Sequence, residues 1–394
     1  MQAIRADMAA MAGGLSFEPD ALLAQASGEL ALDDFGAGAW EEPFGVLVGE
    51  LDRSPVLSPV GRVMLHSQVL QLLRNRLLLA DLLHRHPEIH EIEVARPIVI
   101  AGLPRTGTTH LHNLIAADPG LRSLPYWESL EPMPLPTEAD VTPDPRLART
   151  DLALWFVNET MPHFKRMHEM TTWHVHEEIQ LLAMDFSTML FETLAHLPGW
   201  RDHYLAHDQT PHYRYLKTVL QALTFLRGGT RWVLKSPQHL EQFGPLSAVF
   251  PDATFVVTHR DPMAVVTSMA TMLAYAARMS LDPVDPVELG RYWADRLETM
   301  LTACVRDREV LPADQAIDVR FDEFMADDVG MVRRIYDLAG QPFDSRAEGA
   351  VTEYMAGHER NRFGSIEYHP EDVGLDDVDL ARRFASYTAA FLDG

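Results

Sequence analysis

The stretch Pro97–His110, PIVIAGLPRTGTTH, decides how the rest of the chain is read. Ile98-Val99-Ile100-Ala101 is short, apolar and β-branched, with a proline before it and a glycine after it, which predicts a buried strand. The next residues, Gly102 to Thr109, have the form Gly, four residues, Gly, then two threonines. Glycines let successive backbone N–H groups turn inward, and the helix that follows presents its N-terminus to an anion. A nucleoside triphosphate loop places Lys and then Ser or Thr after the second glycine. Here Thr108 stands in the lysine position, and the positive charge sits earlier, on Arg105. Read alone, the stretch is an anion-binding strand-to-helix turn.

Further strands are expected at 231–237 (RWVLKSP), at 253–262 (ATFVVTHRDP) and at 316–324 (AIDVRFDEF). Helical patterns separate them. A helix is predicted to start at the loop and to run from 108 to about 117. Another opens at Asp261-Pro262, a capping carboxylate followed by proline, and continues to about 279. Strands alternating with helices predict an α/β fold: a P-loop-like parallel sheet flanked by helices. In such sheets ligands bind beyond the carboxyl ends of the strands. The 102–109 loop, Lys235 and Arg260 all fall there.

Upstream, Ser58-Pro59 starts a helix that Pro87 ends, with Val63, Val69, Leu70, Leu73, Leu77 and Leu82 at helical spacing. Arg74, Arg76 and Arg85 are assigned to its solvated side. Residues 18–50 are expected to form short helices broken by glycines, and the proline-rich 131–146 a loop. Residues 150–227 should be mostly helical. Together these predict one domain over 1–394. It has a helical N-terminal extension (1–95), a core (97–370) and a helical acceptor-side region (130–230).

The chain has 394 residues and a formal charge of −24. That charge argues against binding nucleic acid through a general basic field, but not against a local pocket for one small anion. The single cysteine, Cys304, lies among apolar residues and is expected in the core; it cannot form an internal disulfide. No signal-peptide pattern and no membrane-length apolar run is present, so a cytoplasmic protein without a transmembrane segment is expected. The 60–86 helix and the N-terminal region are read either as a cover for the sheet or as a surface for a homodimer.

Pro104-Arg105-Thr106-Gly107-Thr108-Thr109, Arg260 and Ser268 together resemble the sulfotransferases that use 3′-phosphoadenosine 5′-phosphosulfate (PAPS). In that family a P-[KR]-[ST]-G-T-T loop binds the 5′-phosphosulfate. A later arginine, with a serine eight residues on, binds the 3′-phosphate. VLKSP resembles the family's intermediate strand, and Lys235 stands 25 residues before Arg260, as that family has it. Residues 97 to 370 carry the resemblance, which is closer to the bacterial and tyrosylprotein-like branch than to the cytosolic phenol and steroid branch. It implies a sulfuryl transfer from PAPS, leaving adenosine 3′,5′-bisphosphate, to the hydroxyl or amine of a small-molecule acceptor, with no metal required. It also implies that Arg105, Thr106, Gly107, Thr108, Thr109, Arg260 and Ser268 hold the nucleotide and that Lys235 assists the transfer. Arg362-Phe363-Gly364 is a partial match to the family's late Arg-Lys-Gly.

The catalytic histidine of the cytosolic branch is replaced by Pro237. The candidates for a general base are therefore Glu128, His174, His176, Glu177 and Glu178, with Glu128 and His176 put forward. In the tyrosylprotein-like branch a glutamate in a place similar to that of Glu128 acts as base, with spacing two residues shorter than here. His239 is assigned a structural role, and the spacing of His163, His168, His174 and His176 does not match a metal-ligand pattern. The stretch from Trp155 to Trp200 mixes Phe156, Met161, Phe164, Trp173, Met184, Phe186 and Phe191, most of them core, some available to line an apolar acceptor pocket. Two other readings remain open on the loop alone: a P-loop kinase-like phosphotransferase, and a non-catalytic nucleotide-binding protein.

Overall fold

The structure, a computed structural model, describes residues 2–358, 364 and 366–393. Four helices lead: α1 (Gln2–Ala12), α2 (Pro19–Leu30), α3 (Glu41–Arg53) and α4 (Pro59–Arg85). Then come β1 (Ile98–Ala101), α5 (Thr108–Ala116), α6 (Tyr126–Leu130), α7 (Pro145–Thr160), α8 (Ile179–Ala183), α9 (Leu190–Leu194), α10 (Pro198–Ala206) and α11 (Thr210–Arg227). The remaining core is β2 (Val233–Ser236), α12 (Phe243–Val249), β3 (Thr254–His259), α13 (Pro262–Ala276), α14 (Pro286–Asp307), β4 (Ala316–Arg320), α15 (Phe321–Ala326) and α16 (Asp328–Ala339). Three further helices follow, 345–357, 377–383 and 385–391.

The sheet is parallel throughout, in the order β2-β1-β3-β4. Both faces are buried, as a sheet of β-branched strands requires. Ile98 and Ile100 of β1 face Leu111, Leu114 and Ile115 of α5 and Val332, Ile335 and Tyr336 of α16. Val99 and Ala101 face the larger core, which takes in Leu73 and Leu77 of α4 and Leu216 and Leu220 of α11. The two-residue period of the strand therefore sorts alternate side chains into two cores.

Because β1 lies inside the sheet, its connection to β2 departs on one side and β3 returns on the other. The crevice beyond the carboxyl ends of β1 and β3 is the topological switch point, where a ligand finds room between diverging loops. Ile100 is in register with Lys235 and Val257 with Asp318, so the strand ends lie level.

Several expected boundaries move. β2 covers only Val233–Ser236, because Pro237 starts a 3-10 turn through Glu241. β4 ends at Arg320, and the sequence expected to continue it is already α15. α13 gives way to a 3-10 turn at Ala277–Met279. Near the N-terminus Gly28, Gly45 and Gly49 lie inside helices; the break falls at Gly36 and Gly38, both with positive φ. Within the region expected to be mostly helical, 161–178 is largely irregular.

Arg76 is the main correction. It is 1% exposed, not solvated. Its guanidinium pairs with Asp185 at 2.5 Å, donates to the carbonyls of Phe35 and Met184 at 3.1 Å, and lies over Trp40 and Tyr215. α1 and α2 pack on α4, and Arg76 itself is covered by the 35–40 loop, the 184–185 segment and Tyr215 of α11. Cys304 is fully buried on α14, and burial pushes its thiol up to about 12. No described helix is long and apolar enough to cross a membrane.

Candidate active site

The chain leaves β1 through Gly102. A Cβ there would stand 1.9 Å from the Thr258 hydroxyl, so only glycine lets this turn pass so close to β3. Arg105 and Gly107 both have positive φ, 72° and 86°. Such residues curl the backbone so that its N–H groups line a concave face. Gly107 is the residue before α5, and no side chain caps that helix. The first-turn N–H groups of α5 are therefore presented at the crevice, where they favour negative charge. Thr106 is buried. Its hydroxyl donates to the Leu103 carbonyl and pairs with Thr258, both at 2.7 Å, so this side chain anchors the loop to β3. Thr108 is buried and Thr109 half-buried in the first turn of α5.

Arg260 and Ser268 come from the end of β3 and from α13, and both reach Arg105. Arg105 Nε donates to Ser268 Oγ at 3.1 Å and its Nη1 to the Met167 carbonyl at 2.7 Å. Arg260 Nη1 donates to the Arg105 carbonyl at 2.5 Å, while its guanidinium lies 4.0 Å over the Phe321 ring. Burial, and then the charge of Arg105, lower the pKa of Arg260 from its usual value. Two guanidinium groups held this close in partly buried surroundings make a site that gains from an anion.

Lys235 is the last residue but one of β2 and is 3% exposed. Its Nζ is paired with Glu177, and its backbone N–H donates to Glu178 Oε2 at 2.8 Å. Glu178 is fully inside. His239 Nε2 donates to Glu178 Oε1 at 2.5 Å, and the Tyr213 hydroxyl donates to His239 Nδ1 at 2.7 Å. Burial disfavours the Glu178 carboxylate, but its hydrogen bonds, chiefly the one from His239, hold its pKa below the usual range. His239 thus has the structural place expected of it. Glu177 keeps an 18% exposed side chain beside the lysine.

Four histidines surround this pair: His112 on α5, and His168, His174 and His176 on the irregular segment before α8. The His168 and His174 rings lie 5.4 Å apart, those of His174 and His176 5.9 Å, and His176 meets Tyr126 at 4.7 Å. Burial lowers His112 and His168 to about 3 and His174 to about 4, and takes His176 well below its ordinary value; the positive charge of Lys235 adds to the effect in each. Neither ring nitrogen of His176 has a hydrogen-bond partner among the described residues.

Glu128 lies apart from this group. It is fully buried on α6, where Arg122 reaches Oε2 at 2.6 Å and Arg227 reaches Oε1 at 3.1 Å. The two arginines stack on Trp232 and Trp127. Both carboxylate oxygens are engaged in an ion cluster that ties α6 to α11, so its geometry is that of a structural group. Arg362 falls outside the described residues.

Of the apolar acceptor-side residues, Met184, Phe186, Phe191 and Trp200 are core, at 2% exposure or less. Trp155 and Trp173, at 46% and 61%, are on the surface. Residues that sequence reasoning passed over include Thr258 and Phe321, which steady Thr106 and Arg260, and His112. For His112 there was a signal: it stands one helical turn after Thr108, on the same face of α5.

The sequence profile described as sulfotransferase family matches residues 97–345. The ω-hydroxy-β-dihydromenaquinone-9 sulfotransferases Stf3 of Mycobacterium bovis and Mycobacterium tuberculosis are each 23% identical over 297 residues, 71% of this chain and 72% of theirs. Among solved structures, sulfotransferase STF9 from Mycobacterium avium superposes with a TM-score of 0.84 at 26% identity, covering 95% of this chain and 96% of that one. Sulfotransferase STF1 from Mycobacterium tuberculosis does so at 0.81 and 29%, covering 93% and 98%. The chain belongs to the sulfotransferase family, and its fold is that of the bacterial sulfotransferases.

Proposed function

We propose that this sulfotransferase takes its sulfuryl group from PAPS and passes it to a hydroxyl or amine of a small, apolar acceptor. The observation that carries the reading is the meeting of Arg260, Ser268 and Arg105 at the uncapped start of α5. The nucleotide has two anionic ends, and two donor sets stand at this crevice. The loop amides, Arg105 and the hydroxyls of Thr108 and Thr109 suit the 5′-phosphate. Arg260 and Ser268 suit the 3′-phosphate. Thr106 and Gly107 serve the same site by shaping the loop.

PAPS, when bound, supplies the sulfuryl group and a phosphate that leaves. By analogy with phosphoryl transfer, charge builds on the leaving oxygen, and the protein's main contribution is positioning and charge stabilisation. Lys235, held level with the loop by β-sheet register, is the cation for that oxygen. These side chains supply the positive charge from the chain itself.

For the acceptor's proton we assign Glu177. Glu128 has both oxygens on arginines, and Glu178 is fixed between His239 and the backbone of Lys235. His176 is neutral, but its pKa is held so low that it is a weak proton acceptor. Glu177 is the one carboxylate of the group that touches Lys235 and still has exposed surface. The name of the Stf3 relatives gives ω-hydroxy-β-dihydromenaquinone-9 as what those proteins act on, which favours an apolar acceptor here.

Calorimetry with adenosine 3′,5′-bisphosphate tests the site without an acceptor. Loss of a charged hydrogen-bond donor is expected to weaken binding about 10- to 100-fold in Arg105→Ala and in Arg260→Ala. Undiminished binding in both variants would show the pocket to be elsewhere.

A further inference from the structure

α3 and α10 lie side by side, far along the chain from the phosphate loop. Their contact is pinned at one end by Glu50 of α3. Its carboxylate accepts from the backbone N–H of Gly199, at 2.9 Å, and of Trp200, capping the start of α10. At the other end, Glu42 in the first turn of α3 faces His203 and His207 at the end of α10. Glu42 and Glu50 are two helical turns apart, so the two helices run antiparallel with one carboxylate at each end.

His203 and His207 are four residues apart, and their rings lie 4.0 Å centroid to centroid at 31°. The His207 Nδ1–H donates to the His203 carbonyl at 2.6 Å, one of the carbonyls left unpaired at the end of α10. This fixes the tautomer, so Nε2 carries the lone pair. It is directed at Glu42, with Nε2 3.8 Å from Oε1. One ligand atom from each of Glu42, His203 and His207 falls within 4.8 Å of the others. A backbone carbonyl holding one ring nitrogen of a histidine while the other faces outward is the orienting contact that metal-ligating histidines have.

We infer that Glu42, His203 and His207 form a site for one divalent ion of the zinc class, completed by water, that clips the N-terminal helices to the acceptor-side region. Two imidazoles and a carboxylate suit zinc, and magnesium and calcium prefer oxygen ligands alone. The chain's excess of negative charge favours any cation locally. The site is independent of the nucleotide crevice and takes no part in sulfuryl transfer. Its work is mechanical: α10 runs into α11, and Tyr213 of α11 supports the His239–Glu178–Lys235 chain.

Zinc calorimetry on the full chain, stripped with a chelator, tests this beside His203→Ala, Glu42→Gln and the double variant His203→Ala/His207→Ala. One equivalent should bind to the wild type. Loss of a histidine ligand should weaken it by at least ~10-fold and Glu42→Gln by less. Zinc should raise the Tm of the wild type but not of the double variant. His203→Ala leaves the His207 hydrogen bond in place and guards against simple misfolding. Equal zinc affinity and stoichiometry in wild type and double variant would overturn the proposal, as would a wild type that binds no zinc.

Discussion

At the scale of single residues, the proposed chemistry turns on which carboxylate stands at the Lys235 ammonium. Three glutamates stood as candidate bases, and their hydrogen bonds separate them. Glu177→Gln is expected to lower turnover about 10²- to 10⁴-fold with adenosine 3′,5′-bisphosphate binding retained. The loss should be large with 1-decanol as acceptor and small with 4-nitrophenol, which ionises unaided near neutral pH. A loss equal for both would point to positioning instead of proton removal. Glu128→Gln should act on stability, through the unpaired arginines it leaves, and is checked by urea unfolding with kcat measured alongside.

At the scale of elements, the site depends on how the β1–loop–α5 unit and the helix before it are held. Arg76 fastens α4 to the 184–185 segment and to the loop at 35–37. Asp185 also accepts from His212 of α11 at 2.5 Å. Arg76→Ala leaves Asp185 buried with half its charge partners gone. A destabilisation of about 3–5 kcal/mol is expected, read from denaturant midpoints. Arg85→Ala, at an exposed i,i+4 pair with Asp81, should change stability by about 0.5 kcal/mol at most. Equal effects of the two substitutions would contradict the burial described above.

At the scale of the whole molecule, one core cluster joins Phe17, Leu22, Trp40 and Phe44 of the N-terminal region to Val99 and Val257 of the sheet. We propose that residues 1–394 fold as one domain; calorimetric unfolding in a single transition is expected, and a separate early transition for the N-terminal helices would refute it. Acid stability follows from the buried histidines. In the unfolded chain an imidazole binds a proton below about pH 6.5, whereas His112, His168 and His174 stay neutral in the fold down to about 3, 3 and 4. Between these limits the unfolded state binds more protons. Stability is full above pH 6.5 and falls as the pH drops toward 4. Urea midpoints at pH 7.5 and pH 5 check this, and His112→Gln should lessen the difference.

Much of this was legible in the chain itself. The short apolar run before GLPRTGTT, the Asp261-Pro262 helix start and the Ser58-Pro59 start depend on local sterics and capping, so nearest neighbours in sequence suffice to place them. The alternation that predicts a parallel sheet with helices on both faces is likewise local, repeated. Strand ends were less legible: Phe321 fits a strand by propensity, but packing of α15 decides it. Long-range pairing was legible only at the strand ends, where the loop, Arg260 and Ser268 were expected together. Arg76 has the same helical spacing as any solvated arginine; only the loop at 35–40, the 184–185 segment and Tyr215 of α11, brought to it by folding, make it a buried anchor. Glu128, Glu177 and Glu178 are chemically alike in sequence, and the groups that tell them apart arrive from elsewhere: Arg122 from the segment before α6, Arg227 from α11, Lys235 from β2 and His239 from the turn after it. Sequence alone determined where charge for an anion would gather, because strand ends and helix starts are set by the local chain. Only the tertiary structure decided which acid meets the Lys235 ammonium, because a carboxylate's partners are the ones that folding brings to it.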